Sequence, residues 1–155
     1  MKRILFSFGA VIILASFSSH PAQNTSSPSQ NLKLETRNGK TYTANMSGLQ
    51  EPGGGDPNGY GYANVSLNIG QGTITYDMEV YNIETATAAH IHYGPAGAVG
   101  PVVVELHAPH TGATGGVAEV DKELIKMISK NPQNFYVNVH NSAYPNGAIR
   151  GQLTK

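Results

Sequence analysis

The sequence predicts an all-β protein, an antiparallel, Greek-key-like β-sandwich of about seven to eight short strands with one short helix. Three observations indicate this class. Apolar and polar residues alternate with period two in several segments, clusters of Gly, Pro and Asn separate those segments, and one stretch near residue 125 has helical periodicity.

The N-terminal residues precede the predicted domain. Residues 1–20 combine a basic head with an apolar run that is too short for a stable membrane span, a pattern typical of a secretory signal peptide. The small residues Ser16 and Ser18 fit a cleavage site better than His20 and Ala22 do. Residues 21–40 are mostly polar and predict a flexible linker, so the folded domain is expected at 41–155 with no transmembrane span in the mature chain.

Composition excludes several classes of function. The formal net charge is zero and no basic patch is visible, which argues against a nucleic-acid partner. The chain has no cysteine, so disulfides, thiolate metal sites and cysteine catalysis are excluded. The domain must therefore depend on its apolar core, with or without a metal.

The first half of the domain contains its clearest strand pair. A short strand is predicted at 41–46, followed by a glycine-rich loop at 49–59. Alternating apolar residues at 63–69 and 74–80 flank the Gly-Gln-Gly turn at 70–72. This pattern predicts an antiparallel hairpin with one solvent-exposed face.

The second half adds the remaining strands and the helix. Asp121 is placed to cap a helix with an apolar face at Leu124, Ile125 and Ile128, and Asn131-Pro132 is expected to end it. A loop rich in Gly, Thr and Pro is predicted at 108–116. The remaining strands are predicted at 87–93, 102–106, 117–120, 135–140 and 148–153.

Three histidines form the main candidate site. In an extended strand His90 and His92 lie on one face, about 6.5 Å apart. His140 lies on the polar face of the 135–140 strand, and the three imidazoles could share a Cu or Zn ion if the strands are neighbours. The alternative is that they are structural histidines bonded to the backbone or to carboxylates.

The other candidate residues have weaker signals. His107 ends a strand and His110 lies in a loop, so both are weak metal-ligand candidates and are expected at the surface. Arg150 lies in a glycine-rich segment and is predicted to form a bidentate structural clasp with Glu51. Tyr136 and Tyr144 are expected to cover the edge of the core, and the alternative is that their hydroxyls lie near the histidines.

Five segments of the chain resemble the CHRD domain family. They are Met-Ser-Gly-Leu-Gln-Glu-Pro at 46–52, Ala-Ala-His-Ile-His-Tyr-Gly at 88–94, Gly-Pro-Val-Val-Val at 100–104, Tyr-Val-Asn-Val-His-Asn at 136–141 and Pro-Asn-Gly-Ala-Ile-Arg-Gly-Gln-Leu at 145–153. The resemblance runs from about residue 41 to 153 and implies an extracellular or otherwise exported β domain. It implies ligand binding in the multidomain members and no particular activity in single-domain ones.

These observations favour a non-enzymatic binding module over an enzyme. Its partner would be an extracellular protein, a surface polymer or a metal. One alternative is a redox metalloenzyme, because the order of histidines is similar to that of copper–zinc superoxide dismutases, although their cysteine pair and bridged zinc loop are missing. A purely structural extracellular domain is the other alternative.

Overall fold

The structure, a computed structural model, describes residues 39–155. The predicted signal peptide and nearly all of the predicted linker lie outside these residues. Within them the chain forms eight strands, one α-helix and two 3₁₀ turns at Gly48–Gln50 and Pro132–Asn134. The strands are β1 (Lys40–Ser47), β2 (Tyr60–Asn68), β3 (Thr73–Tyr81), β4 (Ala86–Tyr93), β5 (Val102–Leu106), β6 (Ala113–Glu119), β7 (Phe135–Asn141) and β8 (Ile149–Gln152), and helix α1 is Lys122–Lys130. No helix in this part of the chain is long and apolar enough to cross a membrane.

All eight strands belong to one sheet with the order β5-β4-β7-β8-β1-β2-β3-β6, and every pairing is antiparallel. The two end strands, β5 and β6, follow each other in the chain and contact each other. The sheet therefore curves until its edges nearly meet, and its two halves share one apolar core. The predicted class, all-β and antiparallel with one short helix, is confirmed.

The β2–β3 hairpin shows why the alternation predicted the fold so well. Its apolar residues point inward, and Val65, Leu67 and Ile74 are almost completely buried. The polar residues between them face outward, because successive side chains in a strand point to opposite sides. A one-residue slip of this hairpin would expose the whole apolar set, so the pattern fixes the register.

Helix α1 contributes two of the core residues. The side chain of Asp121 accepts a hydrogen bond from the Glu123 backbone N–H at 2.6 Å and caps the helix as predicted. Ile125 and Ile128 are fully buried, and Leu124 packs against the core at its margin. The helix ends at Lys130, where Pro132 prevents its continuation.

Strand β6 is longer than the sequence predicts. It begins at Ala113, within the predicted loop, and includes Gly115 and Gly116. These glycines allow close approach to β3 and do not form a turn. A Cβ atom on Gly116 would lie 2.8 Å from the Tyr76 hydroxyl, so only glycine fits there without displacing its neighbour.

Candidate metal centre

The candidate site lies on the outward face of strands β5, β4, β7 and β8. Register places Glu105, His90, Asn138 and Arg150 side by side across these four strands. The core-facing residues alternate with them, since Ile91 and its neighbours of the same phase point inward. The prediction that His90, His92 and His140 lie on the face opposite the core-facing residues is confirmed.

His90, His92 and His140 come together on this face. One ring nitrogen from each lies within 4.8 Å of the other two. His90 Nδ1 is 3.0 Å from His140 Nε2, and the ring centres of His90 and His92 are 5.5 Å apart. The structure therefore brings the three predicted imidazoles to one point.

The second nitrogen of each ring contacts an acceptor. His92 Nδ1 lies 2.9 Å from the Gly100 carbonyl, and His140 Nδ1 lies 3.0 Å from the Pro145 carbonyl. His90 Nε2 lies 3.0 Å from a carboxylate oxygen of Glu105. A carbonyl acceptor requires a proton on Nδ1, so His92 and His140 in their neutral forms keep the Nε2 lone pair free.

His92 is the most enclosed of the three. It is 8% exposed, and its Nε2 atom is buried without a hydrogen-bond partner among the described residues. Buried polar atoms in native proteins rarely lack a partner, so this nitrogen and the neighbouring Asn138 side chain, which raises the pKa of His92, are available to a water molecule or another ligand. Its ring stacks on Tyr136 with a centroid separation of 4.8 Å and an interplanar angle of 7°.

Tyr136 and Asn138 also belong to the site. Tyr136 was expected at the core edge, but it faces outward between His92 and the Arg150 guanidinium, which lies 3.4 Å above its ring centre. Its hydroxyl accepts a hydrogen bond from the Gly100 backbone N–H at 3.2 Å. Both residues share a strand face with His140, so the period-two pattern contained the signal.

Glu51 and Arg150 do not form the predicted bidentate pair. Glu51 accepts a hydrogen bond from the Asn138 amide at 3.2 Å. Arg150 donates to the carbonyls of Ala98 and Pro95 at 2.8 and 2.9 Å and to the Gln152 side chain, and in residues 39–155 no carboxylate lies within 4.0 Å of its guanidinium. The loop at 94–101 covers this face and offers its carbonyls at close range, so the arginine binds the loop. A clasp role for Arg150 with these partners is a proposal that its substitution by alanine or lysine tests.

His107 and His110 lie outside the cluster. Within the described residues, the group of side chains close enough to share an ion contains neither of them. The backbone N–H of His107 donates to the Tyr76 hydroxyl, and His110 Nδ1 contacts the Ala86 carbonyl at 2.7 Å. Both side chains are on exposed residues, as the sequence predicts.

The surroundings of His92 and His140 favour their neutral imidazole forms. Burial lowers the pKa of His92 and of His140, and it outweighs the opposite effect of their carbonyl hydrogen bonds; the neighbouring His90 also lowers both. Burial raises the pKa of Glu51, although the Asn138 hydrogen bond and the Arg150 charge oppose this. Neutral imidazole is the form that binds a metal.

These shifts predict the pH dependence of stability in metal-free protein. Below about pH 6.5 an unfolded histidine binds a proton that buried His92 and His140 resist. The unfolded state then holds more protons, so the free energy of unfolding falls as pH decreases through this window and levels off above it. The raised pKa of Glu51 has the opposite effect at more acidic pH. There the folded state binds a proton more readily than the unfolded state, so this group increases the free energy of unfolding as pH falls.

Urea unfolding at pH 7.5, 6.5 and 5.5 in a chelating buffer measures this dependence. We expect the His92→Asn/His140→Asn double variant to show a flatter pH profile than the parent. His107→Asn, a change at an exposed histidine, should leave the profile unchanged. An identical slope in the parent and the double variant would contradict the prediction.

Comparison with known proteins identifies the domain. No curated protein matches the chain, and no solved structure matches it either. The family model described as the CHRD domain matches residues 42–153, most of the chain and nearly all of the described fold. The match spans all three histidines together with Glu51 and Arg150, and on this basis the chain belongs to the CHRD domain family.

Proposed function

We propose that the chain is an exported CHRD-domain binding module that coordinates one transition-metal ion, Zn²⁺ or Cu²⁺, through His90, His92 and His140. One observation carries the proposal. Each of the three rings has one nitrogen fixed by a carbonyl or carboxylate and the other close to a shared point. Ligating histidines in metalloproteins have this arrangement, in which an outer acceptor fixes the tautomer and orients the ring.

The donor set determines the class of ion. Imidazole nitrogens suit Zn²⁺ and Cu²⁺, whereas Ca²⁺ and Mg²⁺ prefer oxygen ligands. With metal–nitrogen bonds of 2.0–2.1 Å, tetrahedral geometry needs the nitrogens about 3.3 Å apart. The closest pair is at 3.0 Å and the widest separation is within 4.8 Å, so adjustments of the side chains suffice.

Three protein ligands would leave one coordination position for water or an external ligand. Asn138 is next to His90 in register and is 2% exposed, and its Oδ1 atom has no hydrogen-bond partner among the described residues. This oxygen is available to a water molecule in the fourth position. The proposal includes no catalytic step.

Export is the second part of the proposal. It rests on the signal-like pattern at residues 1–20 and on membership of the CHRD family. Outside the cytosol a metal is one means of stabilising a domain that has no disulfide.

Zinc titration of metal-free protein tests the function. We expect one Zn²⁺ per chain by calorimetry and elemental analysis. At a free concentration of 100 times the dissociation constant, the ion should stabilise the domain by about 2.7 kcal/mol and raise its melting temperature by roughly 10 °C. His92→Ala should abolish uptake, whereas the matched control His107→Ala should bind as the parent does. Protein that takes up neither Zn²⁺ nor Cu²⁺ and melts at an unchanged temperature would contradict the proposal and favour a structural domain.

Glu105 should tune the affinity without being essential. Its exposed carboxylate orients His90 through Nε2. We expect Glu105→Gln to weaken Zn²⁺ binding about 10-fold, at the lower end of the 10–100-fold effect of outer-sphere partners, with unchanged stoichiometry. Glu84→Gln is the control at another exposed glutamate. Equal affinities for the two variants would exclude this role.

A further inference from the structure

A second polar surface lies away from the histidines, on the outward side of β2 and β3. Tyr60 and Tyr81 are cross-strand partners whose rings stack at 5.0 Å and 16°. Tyr62 lies beside them, with its ring centre 6.4 Å from that of Tyr81. The three tyrosines are 39–49% exposed, so their ring surfaces are accessible.

Two carboxylates lie among and beside these rings. The Tyr81 hydroxyl donates to Glu79 at 2.5 Å, and the Asn64 amide donates to Asp77 at 2.8 Å. Hydrogen bonds from Tyr81 and then Tyr62 hold the pKa of Glu79 below its ordinary value, so this group is charged at neutral pH. We call Tyr60, Tyr62, Tyr81, Asp77 and Glu79 the tyrosine face.

Charge is segregated around the tyrosine face. Strands β2, β3 and β6 contain no lysine or arginine, so no cation on these strands neutralises Asp77 and Glu79. The residues of β6 that pair with Glu79 and Asp77 are Ala113 and Gly115. Their small side chains leave open space beside the carboxylates, so a ligand can approach them from the β6 side.

We propose that the tyrosine face binds an arginine-bearing polypeptide segment. A guanidinium group is planar, stacks on aromatic rings and pairs with carboxylates, which are the two groups presented here. The ammonium group of a lysine can pair with the carboxylates but stacks less well on the tyrosine rings. A neutral sugar can stack on the rings and donate its hydroxyls to the carboxylates, but it does not neutralise their two negative charges.

The probe for this proposal is a fluorescently labelled peptide of four Arg-Gly repeats, titrated with the full domain in low-salt buffer. The comparison peptides replace every arginine with lysine or with glutamate, and a neutral chitin hexasaccharide is the polymer control. We expect the arginine peptide to bind at least threefold more tightly than the lysine peptide. The glutamate peptide should show no binding.

Variants locate the site. Tyr60→Ala/Tyr81→Ala and Glu79→Gln should each weaken arginine-peptide binding at least fivefold. Tyr93→Ala, at an exposed tyrosine outside this face, and Glu123→Gln, at an exposed helix carboxylate, should bind as the parent does. Urea unfolding of the metal-free tyrosine variant should remain cooperative, which shows that it is folded and keeps this test independent of the metal centre. The proposal is overturned if the double variant binds as tightly as the parent, if the controls weaken binding equally, or if the hexasaccharide binds more tightly than the arginine peptide.

Discussion

Replacing Arg150 with alanine is expected to lower the free energy of unfolding by about 3–4 kcal/mol. The side chain is 1% exposed and donates to the carbonyls of Pro95 and Ala98 and to the Gln152 side chain. Alanine would leave these acceptors buried without a donor, and each unpaired group costs about 1–3 kcal/mol. It would also remove the cation above the Tyr136 ring.

Urea unfolding measures this loss, and two variants separate its causes. Arg150→Lys keeps the charge but loses the planar group that reaches both carbonyls, so we expect an intermediate loss of about 2 kcal/mol. Lys126→Ala removes an exposed ion pair with Glu123 and should change stability by less than about 0.5 kcal/mol. A change of less than about 1 kcal/mol in Arg150→Ala would show that solvent replaces the clasp at little cost.

Most of the fold follows from local sequence patterns. The β2–β3 hairpin, β5 and helix α1 were predictable because one face of each is buried, and burial imposes a period of two on strands and a period near 3.6 on helices. Strand β6 was predicted only in its second half, because Gly115 and Gly116 are there for close contact with β3 and have the composition of a loop. Glycine occurs both in turns and at positions where two strands pack closely, and the sequence alone does not distinguish these two roles.

The histidine cluster was predictable in part for the same reason. Alternation places His90 and His92 on one face and His140 on the polar face of its own strand, and the site required only that β4 and β7 pair, as they do. The covering loop was not predictable, since no periodic pattern indicates where residues 94–101 lie. For that reason the carbonyl partners of Arg150 could not be anticipated from the sequence.

The covering loop converts a surface strand face into an enclosed site. Its Gly100 carbonyl contacts His92, its Gly100 N–H contacts Tyr136, and its Pro95 and Ala98 carbonyls accept hydrogen bonds from Arg150. Stability and the geometry of the metal centre therefore depend on the same short segment. A change that moves the loop should affect both together.

Gly100→Ala is such a change. A Cβ atom at this position would lie 1.7 Å from the Tyr93 carbonyl oxygen, which is backbone and has no side-chain freedom to move away. The loop must shift, and we expect stability to fall by about 2–3 kcal/mol. His92 loses the acceptor that fixes its tautomer, so Zn²⁺ affinity should fall about 10–100-fold.

The matched control is Gly53→Ala, because a Cβ atom there would meet nothing within 4 Å. This variant should stay within about 0.5 kcal/mol of the parent and bind Zn²⁺ equally well. Urea unfolding of metal-free protein and zinc calorimetry under conditions where each variant is folded give the two quantities separately. A Gly100→Ala protein that is destabilised but binds Zn²⁺ with the parental affinity would show that the loop only covers the cluster. Loss of affinity together with stability is the expected result, since the carbonyl that orients His92 belongs to the residue whose backbone is displaced.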